Sequence, residues 1–200
     1  IVDSVGGIPI TLPEQITYEA DKVLPAGEQT LNGQQAEWFV RFRREYDEGD
    51  IGRVKAQRIF LAAAMQKLLD MSQTELMSAM QKIYKNEWIA TDLSLEQISM
   101  LADFAAKRLT MDGVNVYMVP GEGIMYEGQA VYSIHKTEAI DLINEHFRPY
   151  QNEMYYDEST IVELVDESNY IDTYSDTEEN LNDIHKGDTE DGKQNIYSNG

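Results

Sequence analysis

Hydrophobic residues recur every three or four positions in the middle of the chain, which is the spacing of an amphipathic helix. Two serines, Ser72 and Ser94, stand directly before such runs, and Glu75 and Gln97 follow them three residues later. A serine paired with Glu or Gln at that distance forms a capping box at a helix N-terminus. The pattern therefore predicts two scaffold helices that begin at these serines.

Two further helices are predicted nearer the start of the chain. Asn32, with Gln35 as its capping partner, begins a short helix that ends at about Phe39. A longer helix runs from Asp50 to about Leu69. The face of the longer helix that we assign to the core carries Val54, Leu61, Met65 and Leu68.

Strands are predicted on both sides of this helical region. Residues 1–11 are apolar and are predicted to be a helix end that turns into a short strand, whereas 14–30 is predicted to be a loop with one short strand. The β-branched and aromatic content of 114–119 and 129–134 predicts two more strands.

Two further segments, 121–128 and 137–147, also have recognisable patterns. Residues 121–128 are rich in glycine and are predicted to be a turn region, and 137–147 has the apolar spacing of a last helix. The three histidines are scattered, and no two stand four residues apart on one helix, so the sequence predicts no zinc site.

Composition narrows the class of protein. The formal net charge is −20 and the pI is about 4.3, which argues against nucleic acid as a partner because phosphate backbones require a broad basic surface. There is no cysteine, so disulfides and thiolate chemistry are excluded, and no apolar run reaches the length of a membrane span. The segment 151–200 has 14 acidic residues against two lysines, and we predict a disordered acidic tail there.

One short region, 41–58, is rich in basic residues although the chain as a whole is acidic. Its basic residues are Arg41, Arg43, Arg44, Arg53, Lys55 and Arg58. If Arg41 and Arg43 lie on an extended segment, both guanidinium groups point to the same side. Arg53 and Gln57 lie four residues apart near a helix N-terminus, which favours anions. Planar guanidinium groups bind phosphate oxygens in pairs, so the cluster suggests a diphosphate site.

Two other features bear on this cluster. The face that carries Arg53 and Gln57 continues to Phe60 and Ala64, which would suit a ligand with a phosphate head and an apolar tail. Arginines 43 and 44 also stand four residues before acidic side chains, so part of the cluster could instead be a solvated, salt-bridged surface.

At these residues the chain resembles a known family. The relevant runs are Thr30-Leu31-Asn32-Gly33-Gln34-Gln35-Ala36, then Phe39-Val40-Arg41-Phe42-Arg43-Arg44, then Gly49-Asp50-Ile51-Gly52-Arg53 with Gln57. Together with Val2-Asp3-Ser4-Val5-Gly6-Gly7-Ile8 upstream, they resemble the C-terminal half of a LytR-CpsA-Psr domain. The motifs cover roughly residues 1–70. Val119-Pro120-Gly121-Glu122 also resembles a late segment of the family, with no role that we can assign.

The resemblance implies a fold and a domain organisation. The fold class would be α/β, with a central β-sheet flanked by helices in three α-β-α layers and a disordered acidic tail. Residues 1–70 would be the C-terminal half of the catalytic domain, 71–150 the remainder of that domain, and 151–200 the tail. The membrane helix and the ligands of Mg²⁺ or Mn²⁺ would lie upstream of Ile1, with no metal ligand in this chain.

The resemblance also implies an activity. Such enzymes are phosphotransferases on the extracytoplasmic face of the bacterial cell membrane that attach a glycopolymer, of teichoic acid or capsule type, from an undecaprenyl-pyrophosphate carrier to peptidoglycan. The resemblance would also allow a pyrophosphatase side activity. The alternative is a non-catalytic envelope module that binds polyprenyl phosphate or anionic polymer.

Individual residues inherit roles from the resemblance. Arg41 and Arg43 would be catalytic, and both would hold the pyrophosphate together with Arg53 and Gln57. Phe60 and Ala64 would line the lipid-tail pocket suggested by the helix face. The chain departs from the family pattern at Glu37, where an apolar residue is usual, and at Ala56, where a further arginine is common.

Overall fold

The computed structural model describes residues 1–12, 15–42, 50–171 and 178–186, and residue contacts divide the chain into two compact units. The first unit comprises Ile1–Asn115 and Asn180–Gly200, and the second comprises Val116–Glu179. Helices and strands both contribute to the fold, which confirms the predicted α/β class.

Helices and strands alternate in blocks along the described chain. In chain order the elements are β1 (Ile8–Leu12), β2 (Ile16–Glu19), β3 (Lys22–Leu24), β4 (Gly27–Leu31), α1 (Gly33–Arg41), α2 (Asp50–Asp70), α3 (Gln73–Lys85), α4 (Leu95–Arg108), β5 (Asn115–Tyr117), β6 (Gly121–Tyr126), β7 (Gln129–Ile134), α5 (Lys136–His146), β8 (Glu178–Asn180) and α6 (Leu181–Lys186). None of the described helices combines the length and hydropathy that a bilayer span requires.

The strands of the first unit pair antiparallel, β1 with β4 and β2 with β3. Along β1 every second side chain is buried, as expected for a strand with one face on the core. A 3₁₀ turn, Val2–Val5, precedes β1 and confirms the predicted helix end followed by a strand.

The prediction of a loop with one short strand at 14–30 is wrong, because β2, β3 and β4 lie almost wholly within that stretch. Each of these strands contributes one fully buried aliphatic side chain, namely Ile16, Leu24 and Leu31. Strands of three to five residues with a single buried anchor are too short for alternation to be recognised among prolines and glycines.

The predicted helix starts are confirmed. Capping boxes form at Asn32, Ser72 and Ser94. In each box the side chain of the capping residue accepts the backbone N–H of the residue three positions later. The side chain of that later residue in turn accepts the backbone N–H of the capping residue. These reciprocal bonds satisfy N–H groups that the helix itself leaves without partners. The long predicted helix is also confirmed, as α2.

The core of the first unit lies between α1, α2 and the two strand pairs. Its largest buried side chains are Phe39 and Phe42, at the end of α1, and they pack with aliphatic residues of β1 to β4. From α2 the core receives Ala56, which is fully buried. Each buried phenylalanine contributes about 1.5–3 kcal/mol through removal of apolar surface from water.

The face of α2 that the sequence assigns to the core is not the one that is buried. Leu61 and Leu68 are 49% and 38% exposed, whereas Ala56 and Ala63 are buried. Small side chains on the inner face let α1 and β1 approach the helix axis closely, so alanine spacing, not leucine spacing, marks the packed side.

The second unit is built on the hairpin of β6 and β7. The strands pair antiparallel from Gly121 opposite Ile134 to Tyr126 opposite Gln129. The two residues between them both have positive φ, 48° at Glu127 and 78° at Gly128, as a type I′ hairpin turn requires. Helix α5 follows β7 directly and confirms the helix predicted at 137–147.

The prediction that 121–128 is a turn region is wrong for its first six residues, which form β6. A Cβ at Gly121 would lie 2.4 Å from the carbonyl oxygen of Ser133 and 2.6 Å from the Tyr132 ring. Gly121 therefore allows β6 and β7 to approach each other closely. The sequence had suggested instead that this glycine belongs to a turn.

The strands in the described part of the chain form four two-stranded sheets, and the remaining one pairs β5 with β8. Each of these strands has one partner only, so the described residues do not assemble the expected central sheet between layers of helices. The strand predicted at 114–119 is present as the shorter β5, and the one predicted at 129–134 is present as β7.

The prediction of a disordered tail fails at α6. Leu181 and Ile184 are buried, α6 packs against α2, and the backbone N–H of Leu181 donates to the carbonyl oxygen of Val114 at 2.9 Å. Two aliphatic side chains within one helical turn supply the burial that offsets the loss of chain entropy. Residues 187–200 lie outside the described residues, and the boundaries 1–70, 71–150 and 151–200 stay a prediction.

Candidate functional site

Arg41 is the last residue of α1, so the extended segment considered for Arg41 and Arg43 does not include Arg41. Its Nη1 contacts Oε1 of Glu37 at 2.8 Å, one helical turn earlier, and its side chain is 63% exposed. The hydrogen bond to Glu37 raises the pKa of Arg41 above its ordinary value. Glu37, noted as a departure from the family pattern, is therefore the described partner of a candidate site residue.

Arg43, the second candidate catalytic residue, lies outside the described residues. The predicted pairing of its guanidinium group with that of Arg41 on one side of the chain stays a prediction. The structure does establish that the chain leaves α1 in an extended conformation, because Phe42 has φ −62° and ψ 139°.

Gln57 joins the second turn of α2 to the end of α1. Its Nε2 donates to the carbonyl oxygen of Val40 at 3.1 Å. Carbonyl groups in the last turn of a helix lack intrahelical partners, so this bond satisfies one of them. Because Arg41 follows Val40 and Arg53 lies one turn before Gln57, the bond draws the end of α1 toward the helix that carries Arg53.

Two further cations stand beside these residues on α2. Lys55 is only 8% exposed, which is rare for a lysine, and Arg58 is partly buried. The sequence identified both as basic neighbours of Ala56 but gave no sign that Lys55 would be buried. The available signal for the burial of Lys55 was its position directly before Ala56, on the face of α2 that carries the alanines.

Phe60 and Ala64, the predicted lipid-tail residues, both pack against the core. The ring of Phe60 lies 6.5 Å from that of Phe39, centroid to centroid, and Ala64 packs beside Val5 and Ala63. Their role in a lipid-tail pocket stays a prediction.

A groove of about 520 Å³ lies beside α2, on the side that carries Ile59 and Ala63. Its apolar lining includes Ile10, Ile59 and Ala63, and polar side chains from β1, β4 and α6 stand along it. The volume falls in the usual range for small-molecule sites, and the groove has an apolar part and a polar part, as an amphipathic ligand requires.

The described residues do not supply a metal site. No group of three or more His, Asp or Glu side chains is placed to hold an ion in the part of the chain that the structure describes. The expected ligands of Mg²⁺ or Mn²⁺, upstream of Ile1, stay an expectation.

The sequence missed one cluster altogether, in the second unit. His135 is buried, and its two ring nitrogens contact carboxylate oxygens of Glu122 and Glu138, each at 3.1 Å. The ring of Tyr170 stacks on it. Glu122 belongs to the Val119–Glu122 motif, to which the sequence assigned no role. The available signal for this cluster was a glutamate within a strand.

Comparison with known proteins identifies the family to which this chain is similar. The model of the LytR_cpsA_psr family matches residues 1–148. The polyisoprenyl-teichoic acid–peptidoglycan teichoic acid transferase TagU of Oceanobacillus iheyensis is 27% identical in an alignment of 156 positions that covers 76% of this chain and 46% of TagU. Biofilm regulatory protein A of Streptococcus mutans is 26% identical in an alignment of 153 positions that covers 72% of this chain and 37% of that protein.

The chain thus spans about half the length, or less, of these curated relatives. Among solved structures, that of TagV from B. subtilis superposes with a TM-score of 0.57 at 20% identity, over 70% of this chain and 55% of TagV. The similarity of the two folds and the family match confirm the resemblance drawn from the motifs around Arg41 and Arg53.

Proposed function

This chain belongs to the LytR_cpsA_psr family, and from that premise we propose that it is part of a phosphotransferase of the cell envelope. The enzyme attaches an anionic glycopolymer, of teichoic acid or capsule type, from a polyprenyl-pyrophosphate carrier to peptidoglycan. It acts on the extracytoplasmic face of the cell membrane. Relatives named as polyisoprenyl-teichoic acid–peptidoglycan transferases support this substrate class.

The reaction needs positive charge above all. A hydroxyl oxygen of the acceptor forms a bond to the sugar-proximal phosphorus, the bond from that phosphorus to the bridging oxygen breaks, and polyprenyl phosphate leaves while the hydroxyl proton is released. Negative charge builds on the phosphate oxygens as this occurs, so fixed cations and hydrogen-bond donors provide most of the catalysis.

The candidate residues have roles suited to that requirement. Arg41, Arg43 and Arg53 would neutralise the diphosphate, with Arg41 and Arg43 acting on the transferred group. Gln57 would orient an oxygen with the amide hydrogen that it does not donate to Val40. The single observation that carries the proposal is this Gln57–Val40 bond, because it joins the end of α1, where Arg41 lies, to the helix that carries Arg53.

The Glu37 contact of Arg41 does not oppose this role. An exposed ion pair at this helical spacing is held weakly, since water and salt screen it. Arg41 can therefore exchange Glu37 for a phosphate oxygen with little loss. A divalent ion would neutralise further charge, but the described residues do not form a site for it.

Arginine substitution in the full-length protein tests the proposal. We expect Arg43→Ala or Arg53→Ala to lower polymer attachment to peptidoglycan by about 10²–10³-fold, the usual effect of removing one electrostatic donor. Arg108→Ala, which removes an exposed arginine at the end of α4, is the matched control and should leave attachment unchanged. Normal turnover by both site variants would remove the catalytic assignment.

A second candidate function is binding without transfer. The described candidate groups are cations and an amide, which can hold a polyprenyl diphosphate or an anionic polymer without promoting reaction. Release of lipid phosphate from a synthetic polyprenyl-pyrophosphate glycan, measured with and without Mg²⁺, separates the two. Release by the full-length protein establishes the transferase or a pyrophosphatase side activity, and binding without release establishes the envelope module.

A further inference from the structure

The groove beside α2 is separate from Gln57 and its contact with α1. Its helical lining, Ile59 and Ala63, follows Gln57 by two and six positions. At about 100° per residue, these side chains lie about 200° and 240° around the helix from Gln57. Gln57 faces the end of α1, where it bonds to Val40, so the groove lies on the nearly opposite side of α2. It is a second candidate site of the first unit.

One wall of the groove is the exposed face of the β1–β4 pair. In the register of the two strands, Thr11 lies opposite Glu28 and Pro9 lies opposite Thr30. Strand β1 buries every second side chain, and Pro9 and Thr11 are the exposed ones between them. Because alternate residues of a strand point to opposite faces, this wall presents two hydroxyl groups and a carboxylate beside each other.

Two more polar side chains, Gln29 of β4 and His185 of α6, also line the groove. Gln29 donates its Nε2 to the carbonyl oxygen of Pro25, which leaves the amide oxygen as an acceptor. His185 is brought to the groove because Leu181 and Ile184 of the same helix are buried, and α6 packs against α2. The family match ends at residue 148, so α6 adds a wall that the matched domain does not contain.

The chemistry of the lining selects a class of ligand. Within the described ranges, the side chains of Thr11, Glu28, Thr30 and His185 form no hydrogen bond or ion pair with the protein. No lysine or arginine from the described part of the chain lines the groove, so a phosphate group would find no counter-charge beside the Glu28 carboxylate. An acyl chain would leave these polar groups without partners. An uncharged ligand rich in hydroxyl groups satisfies both conditions.

We propose that the groove is a saccharide-binding site that holds an uncharged glycan chain. A sugar ring carries hydroxyl groups along its edge and C–H groups on its faces. The Glu28 carboxylate accepts hydroxyl protons, and the hydroxyl groups of Thr11 and Thr30 both donate and accept. The C–H faces pack on Pro9 and Ile59. The groove volume of about 520 Å³ suits a short oligosaccharide.

This site goes beyond the proposed transfer reaction, because the sugar that it holds lies on the other side of α2 from Gln57 and does not react there. The saccharide chemistry follows from the groove alone. The source of the glycan depends on the proposed function, in which peptidoglycan and the anionic glycopolymer both contain sugars. An uncharged lining favours the uncharged sugars of the two.

Isothermal titration calorimetry of the full-length protein with chitotetraose, an uncharged N-acetylglucosamine oligosaccharide, tests the site. We expect saturable binding by the wild type. Glu28→Gln should weaken it by about tenfold or more, the scale of hydrogen bonds to a charged group, and Thr11→Val by about two- to tenfold. Glu96→Gln and Thr110→Val, at exposed positions outside the groove lining, are the matched controls and should bind as the wild type does. No saturable binding, or binding that both groove variants retain, would overturn the site.

A second titration distinguishes the two sources of glycan. An anionic glycopolymer released from its carrier should bind more weakly than chitotetraose, because Glu28 repels its charge. Binding of the anionic polymer alone would overturn the assignment to an uncharged glycan.

Inorganic pyrophosphate separates this proposal from the proposed function. It should raise the unfolding midpoint of the wild type and of Glu28→Gln equally, because the diphosphate site does not include Glu28. If pyrophosphate has no effect and chitotetraose still binds, the proposed function fails and the saccharide site stands. If Glu28→Gln abolishes both responses, the groove belongs to the diphosphate site and the saccharide proposal is wrong.

Amide chemical shifts of the wild type locate the glycan without any substitution. Chitotetraose should shift the amide resonances of Thr11, Gln29 and His185 and leave those of the β6–β7 hairpin unchanged. Shifts confined to the hairpin, or spread evenly over the chain, would refute the proposal.

Discussion

Two contacts between a basic side chain and a glutamate contrast in almost every physical respect. The Arg41–Glu37 pair of the first unit joins two exposed side chains four residues apart on one helix, at 2.8 Å. The His135–Glu122 pair of the second unit joins two buried side chains from the last residue before α5 and from β6, at 3.1 Å. The exposed pair can separate at little cost, which suits a site that must exchange partners. The buried pair stabilises the folded second unit.

The difference follows from solvent. Water around an exposed pair screens the charges and competes for their hydrogen bonds, so its formation changes stability little. A buried pair has lost that water, so removal of either member leaves the other without compensation. Similar distances therefore predict very different consequences of mutation.

The largest effect is expected from Glu122→Ala. The substitution leaves His135 buried beside one exposed carboxylate and removes the acceptor of the Ile171 N–H, and we expect a loss of about 3–5 kcal/mol in the free energy of unfolding. Urea denaturation measures it, with exposed Glu153→Ala as the control. Equal effects of the two substitutions would show that the buried pair does not stabilise the unit.

The next effect is a loss of stability in alkali that depends on Tyr170. Burial, with the hydrogen bond to Glu163, raises the pKa of Tyr170, so the folded state resists ionisation that the unfolded chain undergoes at about pH 10. Stability is therefore full below pH 10 and falls above it, by up to about 1.4 kcal/mol per pH unit.

Thermal unfolding between pH 9 and 11 checks this dependence. Tyr170→Phe should reduce the decline, and Tyr150→Phe, at a site 97% exposed, should leave it unchanged. Part of the decline should remain, because the hydrogen bond to Glu163 also raises the pKa of Tyr156. An undiminished decline in Tyr170→Phe would assign the alkaline loss to other groups.

The capping boxes provide a smaller, matched pair of changes. Ser72→Ala and Ser94→Ala each remove an acceptor for a helix N–H group, and we expect each to lower stability by about 1 kcal/mol at neutral pH. Hydrogen bonds from Ser72 lower the pKa of Glu75, so the stability of that box is present above about pH 4.5 and is lost as the pH falls below it.

The Ser94 box contains Gln97, which does not titrate. Denaturation at pH 7 and pH 3.5 should therefore show a reduced effect of Ser72→Ala at the lower pH and a constant effect of Ser94→Ala. A parallel response of the two variants would contradict the assignment to Glu75.

The smallest effect is expected from Glu37→Ala. Because the Arg41–Glu37 pair is exposed, we expect no measurable change in the unfolding midpoint. The variant should also retain a pyrophosphate-induced rise of the midpoint, which a ligand of the native state produces. A clear fall in the midpoint would show that the pair is structural, and loss of the pyrophosphate response would show that Glu37 positions Arg41 for the anion.

Local features were predictable because their causes lie within a few residues. The capping boxes at Asn32, Ser72 and Ser94 and the extent of α2 depend on neighbours three or four positions away, and the sequence shows them directly. The motifs around Arg41 and Arg53 sufficed for the family, because their joint order is specific.

The sequence by itself thus determined the helix starts, the strand at 129–134, the basic cluster and the family. Only the tertiary structure decided which face of α2 is buried, since close packing selected Ala56 and Ala63 over the larger leucines. It alone also joined Gln57 to Val40, across 17 residues, and His135 to Glu122 and Tyr170. Contacts between distant residues depend on how elements pack in space, and no local spacing encodes them.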